Sequence, residues 1–426
     1  MKETILHYAW QHRLFEQHQL ATTEGYKVEI IDVGLLNKDA GPDFFNTKIK
    51  IDNTVWVGNV EIHSKSSDWK RHNHLENKAY DNVILHIVEQ ADTDIYKTDG
   101  EKILQLEIKI SENILYRYNE LMSNQTWIAC EKRINEVDEF LIASWKQTLL
   151  AERLEQKTES ILKQLEQSGN HWEESFYISL ARSFGFGINS QPFEMLAKSL
   201  PLNILAKHKD NLFQIEALLF GQAGMLEKKE EKDLYYNKLL KEYLFLQTKY
   251  GLKPMEVSLW KFLRLRPDNF PSIRLAQFAK LINTSAKLFS KILETESLNE
   301  LRKLFSSEVS EYWKTHYLFG KQSSKSTKKT GNNSIDILLI NTVAPSLFAY
   351  GKMKNNDTYI EKAMELLENI PSENNSIIKK WKTLGINSKN SFDSQALLQL
   401  KTKYCDQKKC LYCRIGHRIL TLKHRQ

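Results

Sequence analysis

Residues 41–65 read GPDFFNTKIKIDNTVWVGNVEIHSK. Phe44–Ile51 and Thr54–His63 are rich in β-branched and aromatic residues, and Asp52-Asn53 between them suits a tight turn, so the stretch predicts a β-hairpin. Residues two apart on a strand share a face, which points Glu61, His63 and Lys65 the same way. Asp43 opens the first strand, and the hairpin can bring it beside them.

Outward from the hairpin the pattern is mixed. Ile5, Leu6, Trp10, Leu14 and Phe15 recur near helical period and predict an N-terminal helix. Tyr26–Gly34 reads as a strand, and the polar stretch Ser66–Asp81 as a connection with a short helix. Val83–Val88 (VILHIV) suits a buried central strand, and Ile103–Ile110 (ILQLEIKI) alternates as a half-exposed one. After about residue 125 the strands stop and long amphipathic stretches follow, punctuated by Pro192, Pro201, Pro254, Pro267 and Pro271. The expected architecture is an α/β domain over residues 1–125, a larger all-α domain over 126–400, and a basic, cysteine-rich segment over 401–426 packed on the rest. Gln322–Ser334 has no apolar side chain and reads as a mobile surface loop.

At 426 residues the chain has room for two or three domains, and its hydrophobic fraction of 41% excludes wholesale disorder. No apolar run approaches the roughly 20 residues needed to span a bilayer. The first residues lack the pattern of a secretory signal, so a cytoplasmic protein without membrane association is expected. Residues 401–426 hold eight Lys and Arg against Asp406 alone, which accounts for the whole net charge of +7. A local basic cluster suggests nucleic acid as the partner; a solvated basic tail is the plain alternative.

Two carboxylates meeting at one strand edge repel unless a divalent cation lies between them, and Mg²⁺ or Mn²⁺ takes such oxygen ligands. Water bound to the ion could act as nucleophile while the ion offsets charge on a phosphoryl oxygen. With Pro42-Asp43 followed by Glu61-Ile62-His63, the first 125 residues resemble the PD-(D/E)XK nuclease superfamily. The resemblance implies a restriction-endonuclease-like mixed sheet flanked by helices, with Asp43 and Glu61 as metal ligands. His63 stands where that family usually has lysine, and implies a base or a metal ligand in its place; Lys65, one pleat on, can supply the cation. Glu3 corresponds to the extra helical carboxylate of some members. The implied activity is metal-dependent hydrolysis of phosphodiester bonds, in DNA more than RNA. The alternative is a non-catalytic nucleic-acid-binding or scaffold protein on a degenerate nuclease fold. The chain also resembles an uncharacterised bacterial family in which GPDF, GNVEIH and SDW-plus-histidine segments recur.

Ser67–His74 (SDWKRHNH) is dense in polar groups. His72 and His74 can contact a scissile phosphate or a second ion, or simply face solvent beside a helix start capped by Ser67 or Asp68. His86, inside VILHIV, reads as a core histidine.

Cys405, Cys410 and Cys413 form a C-x4-C-x2-C pattern that argues for a metal. Cys130 supplies a fourth thiolate and uses every cysteine of the chain; His417 is the local alternative. Zinc is the simpler occupant. Some members of the resembled superfamily hold an iron–sulfur cluster with one distant cysteine and a C-terminal trio, so the resemblance implies that alternative. Arg264, Arg266 and Arg274, among aromatics and prolines, read first as a helix–helix corner and second as a nucleic-acid surface.

Overall fold

The structure is a computed structural model that describes residues 3–227, 233–285 and 287–422. Lys423 and Arg425 of the basic C-terminal segment lie outside the described residues. The chain is mixed α/β, with an N-terminal sheet and a larger helical region after it. It divides into two compact units, Met1–Trp145 with Leu400–Gln426, and Lys146–Gln399. The first unit therefore runs past the expected boundary at residue 125, and it takes in the cysteine-rich segment.

In the first unit, helix α1 (Glu3–Gln11) buries Ile5, Leu6, Tyr8, Ala9 and Trp10. The Trp10 indole donates to the Val33 carbonyl at 3.0 Å, and its ring stacks on Phe15. Six strands form the sheet: β1 (Val28–Asp32), β2 (Leu35–Leu36), β3 (Phe44–Ile51), β4 (Thr54–Lys65), β5 (Val83–Gln90) and β6 (Gln105–Glu107). Their order is β1-β3-β4-β5-β6, with β2 also pairing with β3. The β1-β3-β4 pairings are antiparallel, and β4-β5 and β5-β6 are parallel. Getting from β4 to a parallel β5 needs a crossover. Residues 66–82 make it, with the short helix α2 (Asp68–Arg71) and two single 3₁₀ turns.

Two expected strands are shorter than their sequence patterns. Tyr26–Gly34 stops at Asp32 because Gly34 turns the chain with φ +82°, where a Cβ would meet the Phe45 carbonyl oxygen at 2.5 Å. Ile103–Ile110 pairs with β5 only over Gln105–Glu107, while Ile110 bridges to Phe15.

The β3–β4 register is shifted within the hairpin. Near the turn Ile51 faces Thr54 and Thr47 faces Gly58, but beyond Thr47 the pairing slips by one residue, so that Phe44 faces Val60. Asn46, in the left-handed region at φ 55°, sits in the bulge. Because a one-residue slip exchanges the two faces of a strand, the bulge decides which side of the sheet Asp43 shares with β4.

The second unit is built of helices around buried rings such as Phe184, Phe193, Phe278, Trp313 and Trp381. It is not purely helical: His316–Leu318 and Lys321–Gln322 form a two-stranded ribbon. The polar stretch 322–334, expected to be a mobile loop, is tethered instead. Lys328 is buried and donates its ammonium to the carbonyls of Trp313 (2.6 Å) and His316 (3.0 Å), while Thr330 and Ser307 share a buried hydroxyl contact of 2.9 Å. Arg274 is buried too, bonded to Gln277 and Asn269 and stacked over Phe186, as a helix–helix corner requires. Among the described residues, one helical stretch, Asn332–Lys354, is long and apolar enough to cross a membrane, and 72% of its most apolar window is buried inside the protein.

Candidate metal centre

Asp43 is the residue before β3, and Glu61 lies on β4. Extending the Phe44–Val60 pairing by one residue sets them directly opposite each other. The Asp43 amide donates to Glu61 Oε2 at 3.0 Å, and the Ile62 amide donates to Asp43 Oδ2 at 2.9 Å. Each carboxylate is thus oriented by main chain from the other strand.

Histidines surround the pair. His7, on α1 one turn after Glu3, brings Nε2 to 3.2 Å from Asp43 Oδ2. Glu61 Oε1 faces His74 Nε2 at 3.1 Å and His63 Nε2 at 3.5 Å. His63 Nε2 also lies 3.1 Å from His72 Nδ1, and its Nδ1 lies 2.8 Å from His86 Nε2. Trp69 sets its ring edge-on to His63, His74 and His86, and Tyr80 stacks on His74 at 3.8 Å. His72 is exposed, so the cluster opens to solvent on one side.

Electrostatics follow from this crowding. Burial, and then the charge of Asp43, pushes the Glu61 carboxyl up to about 9. Burial and the neighbouring imidazoles push His63 down to about 2, and burial takes His86 down to about 3. Both rings are therefore neutral at ordinary pH, the form in which imidazole ligates metals. Burial lowers His7 as well, but Asp43, the Ile62 backbone and the charge of Glu3 together leave it above its usual value.

Of the expected residues, Asp43, Glu61 and His63 converge. Glu3 acts on Glu61, His7 and His74 through its charge. Lys65 does not join them: its side chain is exposed at the end of β4, its charge acts on Asp92, and its amide bonds to Asp68 Oδ2 at 3.2 Å. Sequence reasoning missed His7. The available signal was its spacing of four from Glu3, which puts both on one face of α1. His86 is a fully buried core histidine, as read, but it also holds the ring of His63.

The four cysteines carry free thiols and line one small cavity of about 20 Å³ with Tyr404, Lys409 and Gly416. Cys405 reaches them at the end of a widened π-helical turn, Leu400–Cys405. Burial, then their mutual charges, raises Cys130 and Cys405, and pushes Cys410 up to about 11. Thiols crowded in this way need a cation to ionise together. His417 points elsewhere, with Nδ1 2.6 Å from the Tyr8 hydroxyl. Gly416 is required by packing: a Cβ there would meet the Cys410 carbonyl oxygen at 2.1 Å. Arg117 on α3 (Glu112–Ser123) holds the C-terminal helix Arg414–Thr421 by donating to the carbonyls of Ile419 (3.2 Å), Leu420 (3.4 Å) and Leu422.

A groove of about 840 Å³ is lined by His7, which contacts Asp43, and by Cys413 and Arg414 of the C-terminal segment. Phe140 and Tyr412 on its walls are 82% and 57% exposed, and Lys38 adds a further base.

No curated protein and no solved structure shows significant similarity to the chain. The family described as protein of unknown function, DUF2851, matches residues 3–376, which takes in the whole carboxylate–histidine cluster and Cys130. The chain belongs to that family.

Proposed function

We propose that the protein is a divalent-metal-dependent hydrolase of phosphodiester bonds in nucleic acid, DNA in preference to RNA. The observation that carries this reading is the reciprocal main-chain clamp on Asp43 and Glu61, which holds two carboxylates together in a buried setting where one must keep a proton or share a cation. The chain order supports it as well. A helix, an antiparallel meander with Asp43 at the entry to β3 and Glu61 on β4, a crossover and a parallel strand resemble the PD-(D/E)XK arrangement.

Asp43 and Glu61 would hold Mg²⁺ or Mn²⁺, which supplies an acidified water and a counter-charge for the phosphoryl oxygens. His63 is too weak a base near neutral pH to take the proton of that water, and Lys65 is exposed at the end of β4. His7 takes the part of the missing lysine, a partly exposed imidazole favoured as a cation beside Asp43. The groove lined by His7 and Arg414 offers bases and exposed rings on which a single strand can lie. The four thiolates would hold zinc, with an iron–sulfur cluster as the alternative, and the site would fasten the C-terminal segment to Cys130. Metal analysis and the visible absorption of the purified protein separate the two.

The deciding experiment incubates the protein and Mn²⁺ with single-stranded, duplex and branched DNA, with Asp43→Asn and Glu61→Gln alongside. Cleavage lost in both variants supports the reading. Cleavage that survives both, or is absent from the wild type on every substrate, overturns it.

A further inference from the structure

The crossover between β4 and β5 sets His74 against Glu61 and His72 against His63, more imidazole than an oxygen-ligated cation requires. His63 shares a face of β4 with Glu61, two residues away. His72 and His74 flank Asn73, whose left-handed backbone (φ 59°, ψ 31°) reverses the chain after α2. One nitrogen from each of the three rings lies within 4.8 Å of the others.

We propose that His63, His72 and His74 form a nitrogen-rich site for a transition-metal ion of the manganese-to-zinc series, with Glu61, which faces His63 and His74, beside it. The contacting pairs stand at the separations of adjacent ligands around one ion. Metal–imidazole bonds of about 2.1 Å put adjacent ligand atoms about 3.0 Å apart in an octahedron and about 3.4 Å apart in a tetrahedron. The observed neighbours stand at 3.1 Å (His63 Nε2 to His72 Nδ1), 3.1 Å (His74 Nε2 to Glu61 Oε1) and 3.5 Å (His63 Nε2 to Glu61 Oε1). The donor set selects the class, since imidazole suits zinc, iron and their neighbours whereas Mg²⁺ prefers oxygen and keeps its waters. The surroundings are those of a ligand shell. His63 is oriented through Nδ1 by His86, against which Gln105 lies, and Gln105 is itself fixed by Ser66 and by the Thr93 carbonyl at 2.9 Å. Trp69 and Tyr80 wall the buried side, and exposed His72 leaves the other open to water.

This inference deepens the hydrolase reading through Glu61, but it is tested by binding alone. The full chain, stripped with a chelator, is titrated with Co²⁺. Thiolate-to-cobalt charge transfer reports the cysteine site, and d–d bands without it report a nitrogen–oxygen site. Hyperfine-shifted exchangeable imidazole protons count the histidine ligands. The expected result is one cobalt outside the thiolates with three such protons. Its affinity falls at least tenfold in His72→Ala, which alters an exposed side chain, and more than a hundredfold in a His72→Ala/His74→Ala double variant, while the charge-transfer band persists. A melt followed by circular dichroism confirms that both variants fold. Cobalt confined to the thiolates, or a nitrogen–oxygen signal unchanged in the folded variants, overturns the site and leaves a hydrogen-bonded imidazole chain. Mg²⁺-dependent cleavage is scored separately. Cleavage without the cobalt signature sinks only this site, and the signature without cleavage on any DNA sinks only the hydrolase.

Discussion

Asp43 and Glu61 hold each other through the main chain: the Asp43 amide bonds Glu61 Oε2, and the amide next to Glu61 bonds Asp43 Oδ2. In the metal-free protein this clamp makes folding sensitive to pH. Glu61 rises from 4.5 to about 9 on folding, so the folded state binds the proton more tightly. Its contribution to stability is complete below the unfolded value and is lost as pH rises towards 9. The melting temperature measured in chelator should therefore fall between pH 5 and 9, and fall less in Glu61→Gln. Equal slopes in the two proteins would remove the electrostatic account of the clamp.

A saturating divalent ion should flatten the same slope, since it takes over the role of the proton. Ligand that binds only the folded state also raises the midpoint as its concentration exceeds Kd. The check is the wild-type melting temperature at pH 8 with and without Mn²⁺. No rise, or an equal rise in Asp43→Asn, would mean that the ion binds elsewhere.

The hairpin was legible in the sequence to the residue for Phe44–Ile51, because β-branched composition and an Asp-Asn turn agree there. The pairing of Asp43 with Glu61 was legible only as an order of residues. What puts them on one face is the slipped register around Asn46, and a bulge leaves no periodic signature. Lys65 shares the strand as expected, yet β4 ends in solvent there, which alternation alone does not reveal. His7 lies on a helix whose docking to the sheet is a tertiary fact, so its approach to Asp43 was hidden. The tethered segment 322–334 misled for a related reason: a lysine can be buried when carbonyls receive its ammonium, and composition records only polarity.

Gly416 permits the close approach of the last helix to Cys410. Gly416→Ala should overpack that contact and cost about 1–3 kcal/mol. Metal content at the thiolates should fall with it, measured by elemental analysis beside a denaturant titration. Full metal retention with unchanged stability would show that the turn at Cys410 yields freely.

Arg117 gives the C-terminal helix its main polar anchor to α3. Arg117→Ala strands those carbonyls and removes a cation from a helix C-terminus, a loss of about 1–3 kcal/mol. Limited proteolysis should then cut within residues 414–422 first, and an unchanged digestion pattern would deny Arg117 that role.

Along the groove, Tyr412→Ala and Arg414→Ala should each weaken binding of a single-stranded oligonucleotide, the first by about 1–3 kcal/mol per stacked base. Only the second should also shrink the slope of log affinity against log salt, by about one. Fluorescence anisotropy at several ionic strengths separates the two effects. Identical affinities would direct the search for the binding surface away from this face.

The first unit closes only when Leu400–Gln426 joins residues that precede the whole helical unit. On the ribosome the sheet, the carboxylates and Cys130 emerge early, yet three of the four thiols arrive only after everything between has been made, a wait on the order of ten to fifty seconds at ordinary elongation rates. Through that interval the first unit lacks the helix that Arg117 anchors. A message broken off before residue 400 would therefore leave the first unit without three of its four thiols.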